Sequence, residues 1–355
     1  MTARESARPS WAARVEALLQ RHWWQPRPSL LVRLLGPLSL VYGGLAARAR
    51  RQAQPPAGPG LPVPLLVVGN LVVGGAGKTP AVIALVQAFQ AAGRRPGVIS
   101  RGHGRQPGGA RAVEPGDPAA AVGDEPLLIQ RRTGVPVWVG SDRNAAARAL
   151  CAAHPEVDLL LSDDGLQHRR LRRDAELLVF DDRGVGNARL LPAGPLREPL
   201  PAAIGPQQRV LYTGRRVSTP LPGAVGQRTL GQAWPLEAWL RRDASAAVEL
   251  PALRGRPLLA VAGLAAPQQF FGMLVAAGLT VDTLALPDHH AYATLPWPAA
   301  TPDVLTTEKD AVKIDTAALK GTRVWVLPLD FQLTPGLADD LLTLLPAPQP
   351  KTPLP

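Results

Sequence analysis

Short apolar runs alternate with amphipathic stretches along most of the chain. After a Pro/Gly/Ala-rich linker at 52–62, the apolar runs predict strands at 63–68, 96–100, 135–140, 157–162, 176–181 and 208–213. Helical periodicity marks the intervening segments 80–92, 124–132 and 142–153. This alternation is typical of a parallel sheet with helices on both faces. We therefore predict an α/β/α domain with a parallel sheet over residues 62–220.

A second, smaller series of the same kind follows a polar, Pro/Gly-rich stretch at 214–232. It predicts strands and helices at 257–262, 267–277, 279–286, 303–306, 323–329 and 334–345, of which 267–277 and 334–345 are helical. We expect a C-terminal α/β domain over residues 230–345 and a proline-rich tail without a core over residues 346–355. The 355 residues of the chain are enough for two cores.

Residues 1–51 follow a different pattern. One face of a helix over 10–24 would carry Trp11, Val15, Leu18, Leu19 and Trp23, with Ser10 as the N-cap. The uncharged stretch 34–47 is shorter than the roughly 20 residues that span a bilayer, and three arginines follow at 48, 50 and 51. We predict that residues 10–51 lie in a membrane surface, basic side toward anionic lipid. The alternative is a hydrophobic helix packed on the protein's own core.

Composition and net charge limit the kinds of partner that this chain is expected to bind. The net charge is +11, and only five of the 39 basic residues are lysines. A basic excess favours anionic partners, which include nucleic acid, phospholipid headgroups and phosphorylated substrates. Because aromatic residues make up only 5% of the chain, a base-stacking platform is disfavoured, and we expect no nucleic-acid partner. The single cysteine, Cys151, excludes a disulfide framework. Nothing indicates an obligate protein partner.

The most specific chemical signal is a glycine-rich segment between the first predicted strand and helix. It consists of Val72, Val73, Gly74, Gly75, Ala76, Gly77, Lys78 and Thr79. Glycines let backbone N–H groups turn around phosphate oxygens, and the helix N-terminus adds partial positive charge. Lys78 would reach the terminal phosphates, and the Thr79 hydroxyl would hold Mg²⁺. This segment predicts that the sheet over residues 62–220 is of P-loop NTPase type. Val72 stands where the general motif has its first glycine. The alternative is a plain turn into a helix.

Acidic residues supply the next candidates. The apolar run 157–162 ends in Asp163 and Asp164, an arrangement in which carboxylates hold Mg²⁺ directly or through water. Asp124 precedes a predicted helix and could accept a hydroxyl proton; the alternative role is that of an N-cap. In the second series, Asp288 adjoins His289, which predicts an imidazole that Asp288 holds and that tunes another carboxylate. The alternative there is a polar surface loop.

A rigid loop with three prolines spans residues 190–199 and ends in an Arg–Glu pair. Arg197 and Glu198 in such a loop are suited to gripping a phosphate or a metal. The alternative is a connector between domains.

Taken in order, these motifs resemble one family. The strings are GNLVVGGAGKTP at 69–80, SRGHGR at 100–105, GDEP at 123–126, SDDGLQH at 162–168, RDAELLVFD at 173–181, LLPAGPLREP at 190–199, PDHH at 287–290 and TEKDAVK at 307–313. Together they resemble the tetraacyldisaccharide 4'-kinase (lipid A kinase) family over about residues 65–315. The resemblance implies two α/β/α domains, an active site in the cleft between them and an N-terminal helix at the bilayer.

The resemblance also implies an activity. Members transfer the γ-phosphate of ATP, with Mg²⁺, to the 4'-hydroxyl of a tetraacylated glucosamine disaccharide 1-phosphate, giving lipid IVA. The place is the cytoplasmic face of the inner membrane of Gram-negative bacteria. His103 stands where a tyrosine is common in the family, and Asn187-Ala188 interrupts a glycine-containing run.

Site residues carry over by position. The resemblance implies that Asp124 is the base, that His289 assists it, and that Lys78 binds the phosphates. The metal set is Thr79, Asp163, Asp164 and Glu198. Candidates for binding the phosphorylated substrate are Arg101, Arg143, His168 and Arg197, and Arg105 is a further arginine that could meet the 1-phosphate. Because His289 belongs to the second series, the two halves must close to assemble the site.

Two other classes remain open from the residues alone. A regulatory P-loop switch is suggested by Asp181 to Gly184, which fits D-x-x-G, but Val312 occupies the first position of the string nearest to the guanine-reading motif. The other class is a non-enzymatic basic protein that binds nucleic acid or membrane.

Overall fold

The computed structural model describes residues 11–25, 27, 29–53, 60–105 and 108–347. The predicted cap Ser10 and most of the predicted tail lie outside these ranges. The helices are α1 Trp11–Trp23, α2 Leu30–Leu34, α3 Gly36–Gln52, α4 Lys78–Ala91, α5 Ala119–Val122, α6 Asp124–Thr133, α7 Arg143–Ala153, α8 Leu236–Arg241, α9 Pro267–Ala276, α10 Glu308–Ala311 and α11 Leu337–Leu344.

Fifteen strands are assigned within the described ranges. They are β1 Leu65–Gly69, β2 Pro96–Ser100, β3 Arg111–Ala112, β4 Val137–Val139, β5 Leu159–Asp163, β6 Ala175–Phe180, β7 Gln208–Tyr212, β8 Ala224–Val225, β9 Gln227–Leu230, β10 Trp234–Pro235, β11 Leu258–Ala262, β12 Val281–Ala285, β13 Asp303–Thr307, β14 Arg323–Leu327 and β15 Leu329–Gln332.

The first sheet contains eight strands in the order β3-β4-β2-β5-β1-β6-β7-β8. All neighbours are parallel except β3 and β4. The four central strands β2, β5, β1 and β6 are buried at every position, because apolar runs without alternation suit a sheet covered on both faces. Val68 of β1 lies in register with Asp163 of β5, so the loop after β1 starts beside the carboxylate that ends β5.

The second sheet has the order β10-β14-β13-β11-β12, in which only β10 is antiparallel to its neighbour. The predicted strand 323–329 is interrupted. It ends at Leu327, and Leu329 begins β15, which pairs with β9 instead. Pro328 lies between the two because it has no N–H to donate to a continuing ladder. The mixed α/β class with parallel sheets is therefore confirmed.

The C-terminal helix returns to the first sheet. Leu337 and Leu341 of α11 belong to the same buried apolar cluster as Val82 and Phe89 of α4. Asp340 of α11 also pairs with Arg209 of β7, Oδ2 to Nε at 2.5 Å. Sequence periodicity assigned this helix to the second series, whereas its packing joins the two sheets.

The N-terminal helices have one docked face and one exposed face. The Ser39 hydroxyl donates to the Leu190 carbonyl at 2.9 Å and accepts from the Ala193 amide at 3.0 Å, so α3 holds the proline-rich loop. Leucine and valine side chains on the remaining surface are 56–79% exposed, namely Leu30, Leu34, Leu38, Leu40, Val41 and Leu45. In the part of the chain that is described, no helix is both long enough and apolar enough to cross a membrane.

Candidate active site

The glycine-rich loop leads from β1 into α4. Gly74 and Gly77 have φ of +87° and +78°, a left-handed conformation that favours glycine. Gly77 caps α4, and Lys78 and Thr79 form its first turn, so the helix begins two residues earlier than the pattern predicted. The Val72 side chain is fully buried, and its backbone bridges Leu196 of the proline-rich loop. A core contact therefore occupies the position of the missing glycine.

Asn70 is a loop-supporting residue to which sequence reasoning gave no role. Its Oδ1 accepts a hydrogen bond from Lys78 Nζ at 3.1 Å, and its Nδ2 donates to the Gly74 carbonyl at 3.3 Å. Lys78 Nζ also lies 3.6 Å from Asp164 Oδ1. The asparagine thus fixes both the lysine and the loop. The sequence signal that could have identified Asn70 is its position immediately after an apolar strand, within the string GNLVVGGAGKTP at 69–80.

Asp163 has the features of a cation ligand. Its side chain is fully buried, and neither carboxylate oxygen has a hydrogen-bond partner in the described structure. Burial, together with the charges of Glu125 and Asp164, raises its pKa to about 8. An orphaned carboxylate beside the phosphate loop fits Mg²⁺, a hard cation that prefers oxygen ligands and keeps contacts to phosphates and water. Among the described residues, no group of three or more His, Cys, Asp or Glu side chains could hold a metal ion. The metal roles of Asp163 and Thr79 stay predictions.

The other two predicted metal ligands already have cationic partners. Burial alone would raise the pKa of Asp164, but the charges of Lys78, Arg197 and Arg143 lower it below its ordinary value. The Glu198 carboxylate accepts a hydrogen bond from the Arg169 guanidinium. Arg169 therefore takes one Glu198 oxygen, and the metal role of Glu198 stays a prediction.

Asp124 and His289, 165 positions apart, form a hydrogen-bonded pair. His289 Nδ1 lies 2.9 Å from Asp124 Oδ2, while Asp124 Oδ1 accepts from the Glu125 amide at 3.0 Å. Burial would raise the pKa of Asp124, but the His289 hydrogen bond and the charge of Lys309 lower it to about 2. In return, the hydrogen bond to Asp124 raises the pKa of His289 above its ordinary value. Asp124 is the first residue of α6, and its carboxylate faces the second sheet's loop.

Asp288 acts differently from the expectation that it holds the imidazole. Its Oδ1 stays 3.9 Å from His289 Nε2, beyond hydrogen-bond reach. Instead it accepts from the His289 backbone amide at 3.0 Å and from Lys309 Nζ at 3.1 Å. His289 has φ of +59°, so Asp288 stabilises a tight backbone turn that directs the ring toward Asp124. The expectation was wrong about the contact, because a side chain adjacent in sequence more easily reaches the backbone.

Lys309 connects the components of the site. Its Nζ donates to Glu125 Oε1 at 3.2 Å and to Asp288 at 3.1 Å, and lies 3.4 Å from His289 Nε2. Burial would lower its pKa, but the charges of Glu125, Asp124 and Asp288 raise it. Lys313 adds a second cation 3.7 Å from Asp124 Oδ2. Both lysines lie in the quoted string 307–313, which received no role because nothing local shows what they face.

The four predicted substrate residues share one cavity. Arg101, Arg143, His168 and Arg197 line a space of about 490 Å³, together with Asp164 and Glu125. Buried polar atoms face no partner in the described structure at Arg143 Nε and His168 Nε2. Burial lowers the pKa of both groups. Arg105 is not among the lining residues; it donates to the carbonyls of Gly108 and Gly109.

Glu125 joins this cavity to a second one, which the glycine loop and residues of the second sheet line together. A glycine-rich loop of the phosphate-binding type, a buried carboxylate without a hydrogen-bond partner and an Asp–His pair, in which Asp124 is buried and His289 partly exposed, thus meet beside a cationic pocket. Such a combination is that of a P-loop phosphotransferase whose acceptor is a hydroxyl in an anionic molecule.

Comparison with known proteins gives the family. The model of the Tetraacyldisaccharide-1-P 4'-kinase family matches residues 31–346, and this chain belongs to that family. A tetraacyldisaccharide 4'-kinase of Methylibium petroleiphilum is 51% identical over 340 residues, covering 94% of each chain. One of Leptothrix cholodnii is 51% identical and covers 96% of this chain and 99% of the relative.

A solved structure agrees with the fold. The "apo" form of LpxK from Aquifex aeolicus, in complex with ATP, superposes with a TM-score of 0.70 at 27% identity. The match covers 89% of this chain and 100% of the other. The family assignment confirms the predicted kinase class, and the regulatory switch is not favoured.

Proposed function

We propose that this protein transfers the γ-phosphate of ATP to the 4'-hydroxyl of a tetraacyldisaccharide 1-phosphate. The observation that carries the proposal is the Asp124–His289 pair, with Oδ2 and Nδ1 2.9 Å apart, beside the residue that joins the nucleotide and cationic cavities. In the reaction, the acceptor oxygen forms a bond to the γ-phosphorus, the bond to the β–γ bridging oxygen breaks, and ADP leaves.

Each residue then has a defined task. Asp124 takes the hydroxyl proton, and its lowered pKa keeps it ionised and ready. Lys78 and the loop amides bind the β- and γ-phosphates, and Thr79 and Asp163 would hold Mg²⁺, which when bound neutralises charge on those phosphates. His289 orients Asp124 through their hydrogen bond, and the charge of Lys309 lowers the pKa of Asp124. Arg101, Arg143, His168 and Arg197 bind the acceptor, including its 1-phosphate.

The exposed apolar side chains of α3 support a membrane position. An acceptor with four acyl chains stays in the bilayer, and Leu40 and Leu45 are 79% and 63% exposed. We place residues 10–51 at the cytoplasmic face of a bacterial inner membrane, with their leucines among the acyl chains. This location brings the cationic cavity to the lipid headgroup. In a regulatory switch, by contrast, Asp124 would have no acceptor hydroxyl from which to take a proton.

The decisive experiment is phosphoryl transfer from γ-labelled ATP to tetraacyldisaccharide 1-phosphate in detergent micelles with Mg²⁺. We expect a labelled lipid from the wild type and none from Lys78→Ala. Lys320→Asn, an exposed lysine with φ of +43° that asparagine tolerates, is the matched control and should retain activity. ATP hydrolysis without lipid product would contradict the proposal.

Membrane attachment is tested by flotation with vesicles that contain anionic phospholipid. Leu40→Asp with Leu45→Asp should abolish flotation, whereas Val275→Asp, which changes a 61% exposed residue of α9, should not. Unchanged flotation of the double variant would contradict the role of α3.

A further inference from the structure

Arg228 reaches the glycine loop from the segment that joins the two sheets. It lies in β9, within the polar stretch that sequence analysis treated as a boundary. Its Nη2 donates to Thr213 Oγ1 at 2.7 Å, and its Nη1 donates to Gln269 Oε1 at 2.9 Å. Thr213 Oγ1 in turn donates to the Ala76 carbonyl at 2.7 Å. One hydroxyl therefore ties the guanidinium to the loop.

The guanidinium also packs directly on the loop. A Cβ placed on Gly77 would lie 2.2 Å from Arg228 Nη2, so only glycine leaves room for this contact. Arg228 lines the same cavity as Lys78 and Thr79. It is therefore at the phosphate-binding surface, although it comes from 150 positions downstream of Lys78 in the chain.

The charge of Arg228 has no counter-ion. Across the described ranges it makes no ion pair within 4.0 Å, and its Nε is buried without a partner. The nearest carboxylates have other partners: Asp181 pairs with Arg183 Nη2 at 2.7 Å, and Asp182 accepts from the Arg215 amide at 2.7 Å. Burial lowers the pKa of Arg228. The charges of Asp181 and Asp182 offset part of this effect. A buried cation without an ion pair is costly, and this cost falls when an anion binds.

Arginine chemistry suits a polyphosphate. A guanidinium has five N–H donors in a planar fork, and the described contacts use only two of them. We propose that Arg228 is a nucleotide-binding residue that contacts the polyphosphate of ATP and adds a second cation to that of Lys78. This inference rests on the proposed function for the identity of the ligand, and it assigns part of the triphosphate site to a residue outside the glycine loop.

The test is equilibrium binding of Mg-ATP, Mg-ADP and AMP by calorimetry, without lipid. We expect Arg228→Gln to weaken Mg-ATP binding about 10- to 100-fold, the loss of one charge-assisted hydrogen bond. AMP binding should change little because AMP lacks the β- and γ-phosphates. Arg228→Lys should be intermediate, since it keeps the charge and loses the fork. Arg323→Gln, at the exposed start of β14, is the matched control and should bind as the wild type does.

Two results would overturn the inference. One is wild-type affinity of Arg228→Gln for Mg-ATP. The other is an equal loss for ATP, ADP and AMP accompanied by a lower melting temperature, which would make Arg228 a packing residue of the loop only. If Arg228 controls Mg-ATP affinity but the wild type labels no lipid, this inference stands and the proposed function fails.

Discussion

The proposed nucleotide-binding side and the proposed proton-transfer side of this candidate active site are built in opposite ways. On the nucleotide side, the glycine loop and Asp163 follow adjacent parallel strands, with Val68 and Asp163 in register. On the proton-transfer side, Asp124 belongs to a helix on the first sheet, whereas its partners His289, Lys309 and Lys313 come from loops and a short helix of the second. One side is local to a single sheet, and the other exists only when both sheets meet.

This difference predicts that nucleotide binding and phosphoryl transfer depend on different sets of contacts. Most of the contacts that would hold the phosphates form within the first sheet, with Arg228 as the proposed addition from outside. The charges that lower the pKa of Asp124, those of His289, Lys309 and Lys313, all come from the second part of the chain. Substitutions on the proton-transfer side should therefore change turnover with little effect on nucleotide affinity, and substitutions on the nucleotide side should change affinity as well.

The largest effect should come from Asp124→Asn, which keeps the shape and removes the base. We expect turnover to fall by about 10²- to 10⁴-fold, the usual contribution of a general base. Mg-ATP affinity should stay within about twofold because Asp124 does not contact the glycine loop. Initial rates and calorimetry give the two numbers. Asp315→Asn, which alters a residue that caps a short helix of the second part, is the control. Near-normal turnover would remove Asp124 from its role.

Asp163→Asn tests the nucleotide side. Binding of Mg-ATP should weaken about 10- to 100-fold, a cost typical even of residues that only support a metal ligand. Without metal the variant should be more stable than the wild type. A buried carboxyl with a pKa raised from 3.8 to about 8 opposes folding at every pH above 3.8.

The stability gain is measured by thermal melting in EDTA at pH 7, where we expect a rise of about 2 °C or more. Asp158→Asn, which loses the pairing of Asp158 with Arg94, should instead melt lower. A lower melting temperature for Asp163→Asn would contradict the assignment of Asp163 as an unpaired ligand.

Lys309→Met breaks the link between the two parts at one atom. Turnover should fall about tenfold, because Glu125 and Asp288 both lose a charge-assisted hydrogen bond that supports the His289 turn and α6. Since the charge of Lys309 lowers the pKa of Asp124, its removal raises that pKa, and the acidic limb of the turnover profile moves to higher pH. A pH series of initial rates checks the shift, with Lys320→Asn as control. A lower turnover with an unmoved profile would make Lys309 purely structural.

The smallest effect concerns stability. The hydrogen bond to Asp124 raises the pKa of His289 above 6.5 and lowers that of Asp124 below 3.8, so the pair stabilises the fold fully between about pH 3.8 and 6.5 and less as pH rises through the folded pKa of His289. The stability difference between wild type and His289→Gln should therefore be larger at pH 6 than at pH 9. Urea unfolding at both values measures it, and His154→Gln, at the end of α7, is the reference. An opposite sign would show that His289 is neutral in the pair.

The sequence predicted the elements of this protein well where one segment carries its own signal. The central strands and the helices α4, α6 and α7 were predicted to within about two residues, because apolar runs and helical periodicity are local properties. Five short strands were missed, namely β3, β8, β9, β10 and β15. Such short strands depend on a neighbour's edge and not on their own composition.

The sequence predicted the part of the candidate site that lies in contiguous motifs, but not the contacts between segments that are distant in the chain. The glycine loop and Asp163 were identified because each motif states its own chemistry. Asp124 and His289 were proposed from their local sequence with a structural alternative for each, the resemblance favoured the catalytic interpretation, and the role of each residue stays a prediction. Arg228 belongs to no recognised motif. Lys309 lies in the string 307–313, but nothing in that string indicates which residues it contacts. What they face became apparent only from packing.

The sequence by itself determined the mixed α/β class, the phosphate loop and the family, because these depend on periodicity and on strings that are contiguous in the chain. Only the tertiary structure decided which charges meet: Lys309 with Glu125 and Asp288, and His289 with Asp124. The physical reason is the separation along the chain of the residues that interact. Secondary structure follows from interactions between near neighbours in the chain, whereas the ionisation of a buried carboxylate depends on every charge within a few ångströms, whatever its position in the sequence.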